Sequence, residues 1–215
     1  MKNKVTTVVI CILLLSTLTL SIMNWLNFKK NANKNEEYTY LYDCIKEAEL
    51  KYWETKSKLC DEVQKYINEV SPTSSLRGYA IVEECEKYNI DIKFVLAQGE
   101  IESHFGTKGI GGKLNNVFNI GVFDGLTSDT VNSIYKYNYP NQSIRPYLEL
   151  LQKKYLVNKL EVDLLHKFVD IDGNRYASDV NYEEKLTYKY NYIKDNTNIE
   201  CLYLEMKSYA LKCNR

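Results

Sequence analysis

An uncharged apolar run near the N-terminus constrains this chain more than any other feature. Residues 5–26 contain no charged side chain. As a helix the run spans roughly 33 Å, enough for the ~30 Å hydrocarbon layer of a bilayer. A cleaved signal peptide has a shorter apolar core and a small-residue cleavage site, but Asn24 and Trp25 stand where small residues are needed. The sequence therefore predicts a membrane anchor at 5–26, behind a tail at 1–4, and favours it over a signal sequence.

The segment after the apolar run is first polar and then amphipathic. Residues 27–36 read NFKKNANKNE, which is typical of a linker. From about 37 to 70, apolar residues recur at steps of three and four, which predicts an amphipathic helix. We assign 27–75 to a linker and a stalk helix that lies against the next domain. Thr55 and Glu62 interrupt a heptad pattern, so stalk-mediated self-association would be weak.

The balance of charge narrows the range of partners. The chain has 28 Lys and Arg against 28 Asp and Glu. A nucleic-acid-binding domain normally presents a basic face, so no nucleic-acid partner is predicted. A glycan remains compatible, and the 19 tyrosines suit one because a flat aromatic face packs on sugar rings while its hydroxyl stays hydrogen-bonded.

The six cysteines do not have the close spacing of a zinc site. If Cys44 and Cys60 share one helix, they lie roughly 24 Å apart, too far for a disulfide. The same argument applies to Cys201 and Cys213, whereas a bridge between stalk and tail stays open. Cys85 falls in an apolar helical pattern and is predicted to lie in the core.

The region 76–193 is predicted to be a mainly helical domain of the α+β class. Its second helix, at 92–104, has Asp91 as a natural N-cap. The glycine-rich stretch at 107–116 does not fit the phosphate-binding motifs, and we interpret it as a flexible wall of a cleft. Residues 117–123 and 133–139 alternate in polarity, which predicts a small β-hairpin lobe. The tail at 194–215 is predicted to be helical.

Four segments of this domain have a distinctive order. They read LAQGEIESHFG at 96–106, NNVFNIG at 115–121, QSIRPY at 142–147 and NRYASDVNY at 174–182. Together they resemble the glucosaminidase domain of bacterial and phage cell-wall hydrolases, a family that includes flagellar rod-cap muramidases and autolysins. The first is similar to that family's AQ-x-x-x-ES-x-(W/F)-G motif and the last to its YATDPNY motif. The resemblance implies a lysozyme-like fold and cleavage of a β-1,4 bond of peptidoglycan.

Glu102 is the predicted general acid. Glycoside cleavage needs a carboxylic acid that is protonated at the working pH. Glu102 falls in the last turn of its helix, where the negative end of the helix dipole disfavours the ionised form, and Phe105 would add desolvation. Glu100 lies two residues earlier and therefore points in another direction. The motif match selects Glu102 of the two.

The partner of this acid stays open. The resemblance implies a second Glu in the β lobe, but none lies between Glu102 and Glu149. Asp124 is the candidate to position water or to stabilise positive charge, although Asp-Gly is also a turn signal, and Asp129 is the other available acid. Alternatively, the acetamido group of the substrate acts as the nucleophile. The resemblance then implies that Tyr176 orients that group.

The motifs also nominate residues that bind substrate. They are Gln98, Ser103, His104, Phe105, Asn116 and Phe118. Phe118 also fits simple packing, and His104 also fits a solvated residue at a helix end. His166 is predicted to be structural, and the turn from Asp170 onward does not match a calcium loop. No metal or cofactor is predicted.

The sequence thus predicts a peptidoglycan hydrolase of the N-acetylglucosaminidase type. A muramidase or lytic transglycosylase with the same acid is one alternative. A catalytically degenerate domain that binds glycan, or serves in a virion or secretion machine, is another. The domain is expected outside the cytoplasm on its membrane anchor, because its substrate requires that location, with secretion or a phage particle as alternatives. Lysines on both sides of the anchor leave its orientation open.

Overall fold

The computed structural model describes residues 2–122 and 135–213, with side chains at 20–31, 34–122 and 135–212. The chain divides into two compact units. One combines Met1–Lys51 with Tyr209–Arg215, and the other is Tyr52–Ser208. The second unit contains every described residue that the sequence nominated for a site.

The described elements are helices. In chain order they are α1 (Lys2–Val70), α2 (Gly78–Tyr88), α3 (Ile92–Ser103), α4 (Gly109–Leu114), a 3₁₀ turn (Pro140–Ser143), α5 (Ile144–Leu150), a π-helical turn (Leu151–Tyr155), α6 (Glu161–Leu164), α7 (Tyr182–Asn196) and α8 (Ile199–Cys213). Within the described residues β-structure is limited to one isolated antiparallel bridge between Val169 and Arg175. The prediction of a mainly helical protein is confirmed.

The first unit is built on the N-terminal part of α1. This helix runs without a break through 27–36, where the sequence predicted a linker. The reason is that the first 70 residues contain neither glycine nor proline, the two residues that most strongly disfavour a helix interior. Asparagine and lysine in the polar stretch weaken the helix but do not end it.

The predicted membrane anchor falls mostly outside the described side chains. Among the residues that the structure describes, no helix is both long enough and apolar enough to cross a bilayer. Residues 5–19 of the anchor have no described side chains. The anchor at 5–26 therefore stays a prediction.

The last part of α1 belongs to the core of the second unit. Leu59, Val63 and Ile67 are completely buried there. Gly78, at the start of α2, lies so close to α1 that a Cβ would come within 2.6 Å of the Cys60 carbonyl oxygen. Its N–H donates to Oε1 of Gln64 on α1 at 2.8 Å. The compact unit thus begins well before the boundary that the sequence predicted near residue 76.

Helix α3 forms the centre of this unit and packs mainly against α7. It begins where predicted, because the Asp91 side chain accepts a hydrogen bond from the Lys93 N–H at 2.8 Å. Tyr190 of α7 donates to the same carboxylate at 2.8 Å. Cys85 is buried in the core, as predicted, and the thiols of Cys44, Cys60, Cys85 and Cys201 are free.

The predicted β lobe is not found among the described residues of 117–139. Residues 117–122 form turns rather than a strand, and 135–139 include no strand. The side chain of Asn116 accepts from the Ile120 N–H at 3.1 Å and donates to the Ile120 carbonyl at 2.8 Å. Such local bonds compete with strand pairing. The residues at 123–134, which would complete the lobe, lie outside the described residues.

Candidate active site

Glu102 lies in the last turn of α3, just before an unusual helix end. His104, Phe105 and Gly106 all have positive φ, at 46°, 54° and 79°. Ser103 stabilises this reversal, because its hydroxyl donates to the Val117 carbonyl and accepts from the Gly106 N–H, both at 2.8 Å. The end of α3 is thereby tied to the turn at 117–122.

Glu102 is half-buried, and two side chains hold its carboxylate, one at each oxygen. Tyr182 donates its hydroxyl to Oε1 at 2.5 Å. Asn119 donates its amide to Oε2 at 2.9 Å and to the Glu102 main-chain carbonyl at 2.7 Å. Burial raises the pKa of Glu102, and the bonds from Tyr182 and Asn119 offset part of that rise because they favour the ionised form. The net direction is upward, as a general acid requires.

Asn119 is held in place by a tight turn and by helix α4. Its φ of 51° is a left-handed conformation that Asn tolerates better than most residues. A Cβ on Gly111 of α4 would lie 2.5 Å from Oδ1 of Asn119 and 2.6 Å from the Asn116 carbonyl. The glycine-rich stretch, predicted to be a flexible wall, is therefore in part a short helix, and Gly111 lets it approach the turn closely.

Tyr182, the other donor to Glu102, is oriented from the interior. Gln98 donates its amide to the Tyr182 hydroxyl at 3.0 Å. The carbonyl oxygen of the Gln98 side chain accepts from the hydroxyl of Tyr147. The Tyr147 ring in turn stacks on Phe118, with ring centroids 3.8 Å apart. A buried row of hydrogen bonds thus leads from α5 to the carboxylate.

Tyr176 lies beside this row, in the segment before α7. Its hydroxyl donates to the Phe118 carbonyl at 2.7 Å. Its ring stacks on Phe168 at 4.5 Å, and its centroid is 5.8 Å from that of Tyr182. Burial, together with the negative charge of Glu102, raises the pKa of the Tyr176 phenol well above its ordinary value. The phenol is therefore neutral at physiological pH.

Glu100 faces away from this arrangement. Its Oε2 accepts from the Tyr66 hydroxyl of α1 at 2.5 Å, and its Oε1 pairs with the ammonium of Lys189 on α7. The side chain is buried among these partners. The two neighbouring carboxylates of α3 therefore have different surroundings, which agrees with their different directions on a helix.

A comparison with protein-family models identifies the relatives of this domain. The glucosaminidase model, described as mannosyl-glycoprotein endo-beta-N-acetylglucosaminidase, matches residues 78–195. The chain belongs to this glucosaminidase family. The family resemblance drawn from the four motifs is thus confirmed, and the chain is a glycoside hydrolase of the kind that acts on peptidoglycan. No curated protein matches the chain significantly.

The match covers nearly all of the second unit that follows α1. It begins at the first residue of α2 and ends one residue before the end of α7. Glu102, Asn119, Tyr176 and Tyr182 of the glucosaminidase domain all fall inside it. The core contribution of α1 and all of α8 fall outside.

Most residues nominated for substrate binding lie in the interior of the glucosaminidase domain. Five are at most 2% exposed, namely Gln98, Ser103, Phe105, Asn116 and Phe118. Their side chains pack, bond the main chain or bond one another, so they offer no surface to a polymer. Among the nominated binding residues that leaves His104, which is partly exposed.

Of the other residues that the sequence analysis considered, those that the structure describes do not bond the Glu102 carboxylate. Asp124 and Asp129 lie outside the described residues. His166 is exposed. The Asp170 carboxylate accepts the N–H groups of Asp172 and Asn174 at 2.9 and 2.8 Å, so it closes its own turn.

Two residues that hold Glu102 were missed by the sequence reasoning. Asn119 and Tyr182 both stand inside segments that carried the resemblance, at NNVFNIG and at the end of NRYASDVNY. Each resembled an ordinary turn or core residue. Their common property, a side chain that reaches the same carboxylate, arises only when the turn at 117–122 and α7 meet at the end of α3.

Proposed function

We propose that this glucosaminidase cleaves the glycan strand of peptidoglycan at the β-1,4 bond that follows N-acetylglucosamine, with Glu102 as the general acid. One observation carries the proposal: the carboxyl group of the half-buried residue Glu102, at the end of a buried helix and held by Tyr182 and Asn119, has a raised pKa. A carboxyl of this kind can carry a proton to a leaving glycosidic oxygen.

Glu102 must hold its proton until the glycosidic bond breaks. Glu102 transfers it to the glycosidic oxygen as the bond from that oxygen to C1 of the sugar breaks. The resulting carboxylate then accepts hydrogen bonds on both oxygens, from the hydroxyl of Tyr182 and the amide of Asn119. Burial favours the protonated acid before the step, and the two donors stabilise its anion after the step.

The positive charge that develops at C1 needs a partner. The sequence has no second Glu between Glu102 and Glu149, which favours a route in which the acetamido oxygen of the substrate attacks C1, so that a single protein carboxyl suffices. Because Tyr176 donates its proton to the Phe118 carbonyl, its oxygen is available as an acceptor for the acetamido N–H. Asp124 is the alternative partner within the same proposal.

The proposed location follows from the substrate. Peptidoglycan lies outside the cytoplasmic membrane, so the domain would work there, tethered by the apolar run at 5–26. A secreted form or a place in a phage particle would put the same domain against the same polymer.

The test is analysis of the products. The full-length chain, purified in a mild detergent, is incubated with peptidoglycan, and the soluble fragments are identified by mass spectrometry. Glu102→Gln is the test variant, and Glu184→Gln, which alters an exposed glutamate of α7, is the matched control. We expect fragments with N-acetylglucosamine at the reducing end from the wild type and the control but not from Glu102→Gln.

Other outcomes would redirect the assignment. Reducing-end muramic acid would identify a muramidase, and anhydro-muramic acid would identify a lytic transglycosylase with the same acid. No release from several peptidoglycan types by the folded wild type would favour a domain that binds glycan without turnover.

A further inference from the structure

We propose that Gln98 is a positioning residue whose side-chain amide sets the direction of a hydrogen-bond relay from Tyr147 through Tyr182 to Glu102. The relay keeps Oε1 of Glu102 as an acceptor, so that the proton for transfer resides on Oε2. This inference rests on the proposed role of Glu102 as the acid and adds the residue that orients it.

Gln98 has no access to solvent. It is completely buried on α3, four residues before Glu102 and thus on the same side of the helix. Both ends of its amide are engaged, one by the Tyr147 hydroxyl and the other by the Tyr182 hydroxyl at 3.0 Å. A residue in this position acts on the substrate only through another side chain.

The chemistry of an amide gives the relay its direction. The carbonyl oxygen of Gln98 accepts but cannot donate, and its NH₂ group donates but cannot accept. Tyr147 therefore donates to the carbonyl oxygen, and the NH₂ group donates to the oxygen of Tyr182. Since Tyr182 has a single hydroxyl proton and already accepts from Gln98, that proton points to Glu102, 2.5 Å away.

The reverse direction would have a different effect on the acid. If the amide of Gln98 were turned over, Tyr182 would donate to Gln98 and would accept from a protonated Glu102. The acid proton would then be bound inside the protein, pointing away from any substrate. The direction that we propose leaves it on Oε2, the oxygen that accepts the longer of the two bonds, from Asn119 at 2.9 Å against 2.5 Å from Tyr182 to Oε1.

The groups that surround the carboxylate are suited to a fixed relay. Three described phenols feel the charge of Glu102. They belong to Tyr147 of α5, Tyr176 of the segment before α7, and Tyr182 of α7. Burial raises the pKa of each phenol well above its ordinary value, so all three keep their protons. Glu100, the nearest carboxylate on α3, is occupied by Tyr66 and Lys189.

The experiment measures the pKa of Glu102 directly. The carboxyl carbons of glutamate are labelled with ¹³C in the full-length chain, and the Glu102 signal is assigned as the one missing in Glu102→Gln. Titrations are compared for the wild type, Gln98→Met, Tyr182→Phe and the double variant. Gln152→Met, at an exposed glutamine, is the matched control.

We expect the pKa of Glu102 to rise in each single variant, and we expect the two rises not to add in the double variant. Tyr182→Phe removes a donor from the carboxylate and should raise the pKa of Glu102 by about one unit. Gln98→Met should raise it by less, since it frees the Tyr182 hydroxyl without removing it. The double variant should match Tyr182→Phe alone, because Gln98 acts through Tyr182. Gln152→Met should titrate like the wild type.

Two results would overturn the relay. An unchanged Glu102 pKa in folded Gln98→Met would reduce Gln98 to a packing residue, and additive shifts in the double variant would show that it acts independently of Tyr182. If Gln98→Met does not fold, Tyr147→Phe interrupts the relay at its first bond, and the same upward shift is required of it. The titration does not depend on turnover, so a wild type that releases no fragments but shows this pattern would contradict the proposed function alone.

Discussion

The hydroxyl of Tyr182 lies 2.5 Å from Oε1 of Glu102, although the two residues are 80 positions apart in the chain. This bond joins the first residue of α7 to the last turn of α3. Because α3 and α7 also pack against each other in the interior, the geometry of the acid depends on the core of the domain. The informative substitutions are therefore those that change the hydrogen bonds of the carboxylate and leave the packing of α3 on α7 intact.

The pH dependence of stability should report the raised pKa of Glu102. A carboxyl whose pKa is higher in the folded than in the unfolded state stabilises the fold fully below its unfolded pKa. That contribution is lost as the pH rises through the folded pKa. We therefore expect Glu102→Gln to gain in stability relative to the wild type as the pH is raised from 4 to 7, measured by urea unfolding. A constant difference across this range would contradict the raised pKa.

The pH dependence of activity should have the same origin. The reaction uses the protonated form of Glu102, so kcat/KM should fall as the pH rises through the pKa of this residue in the free enzyme. In Tyr182→Phe the descending limb should move to higher pH, by about one unit, because a donor to the ionised form has been removed. A limb that stays in place would mean that another group limits the rate there.

Asn119 should affect both activity and stability, and two substitutions separate the effects. Asn119→Gly removes both bonds to Glu102 but accepts the φ of 51°, so activity should fall while the backbone stays unstrained. Asn119→Ala removes the same bonds and also places a Cβ in the left-handed region, which costs about 1 kcal/mol more. Urea unfolding and fragment release measure the two quantities. Equal stability of the two variants would argue against a strained turn.

The hydrogen bond between Tyr66 and Glu100 should contribute to the stability of the fold but not to activity. Tyr66→Phe removes a donor from a buried carboxylate and should lower the free energy of unfolding by about 1.5–3 kcal/mol. Activity per folded molecule should stay near that of the wild type, because Glu100 faces α1 and α7 rather than the acid. Thermal unfolding and fragment release check the two parts. A selective loss of activity in a fully folded Tyr66→Phe would assign Glu100 a part in catalysis.

The sequence predicted features that depend on neighbouring residues. The N-cap at Asp91, the placement of Glu102 in the last turn of α3 and the burial of Cys85 follow from local patterns, and each is found. The family resemblance was also accessible, because its motifs are short contiguous segments. The N-cap, the position of Glu102 and the apolar pattern around Cys85 are each determined within one helix and its caps.

The features that the sequence did not predict depend on contacts between distant segments. The alternating residues at 117–122 looked like a strand, but the side chain of Asn116 folds them into a turn. Gln98 lay in the motif beside the acid and was taken for a binding residue, whereas its burial makes it an internal bond between Tyr147 and Tyr182. Such roles depend on how distant segments pack together, and a local sequence pattern does not predict that packing.

The approach of α4 to the turn provides a final prediction. In Gly111→Ala the new Cβ would meet Oδ1 of Asn119 at 2.5 Å and the main-chain oxygen of Asn116 at 2.6 Å. Since the second of these is backbone, the turn must shift, which should cost about 1–3 kcal/mol of stability and should also move the amide that bonds Glu102. Gly109→Ala is the control, because its Cβ would meet no atom within 4 Å but its φ of +66° would still be strained. Both variants should lose stability by urea unfolding, but Gly111→Ala alone should lose activity per folded molecule. Equal activity in the two would mean that Asn119 adjusts without disturbing the acid.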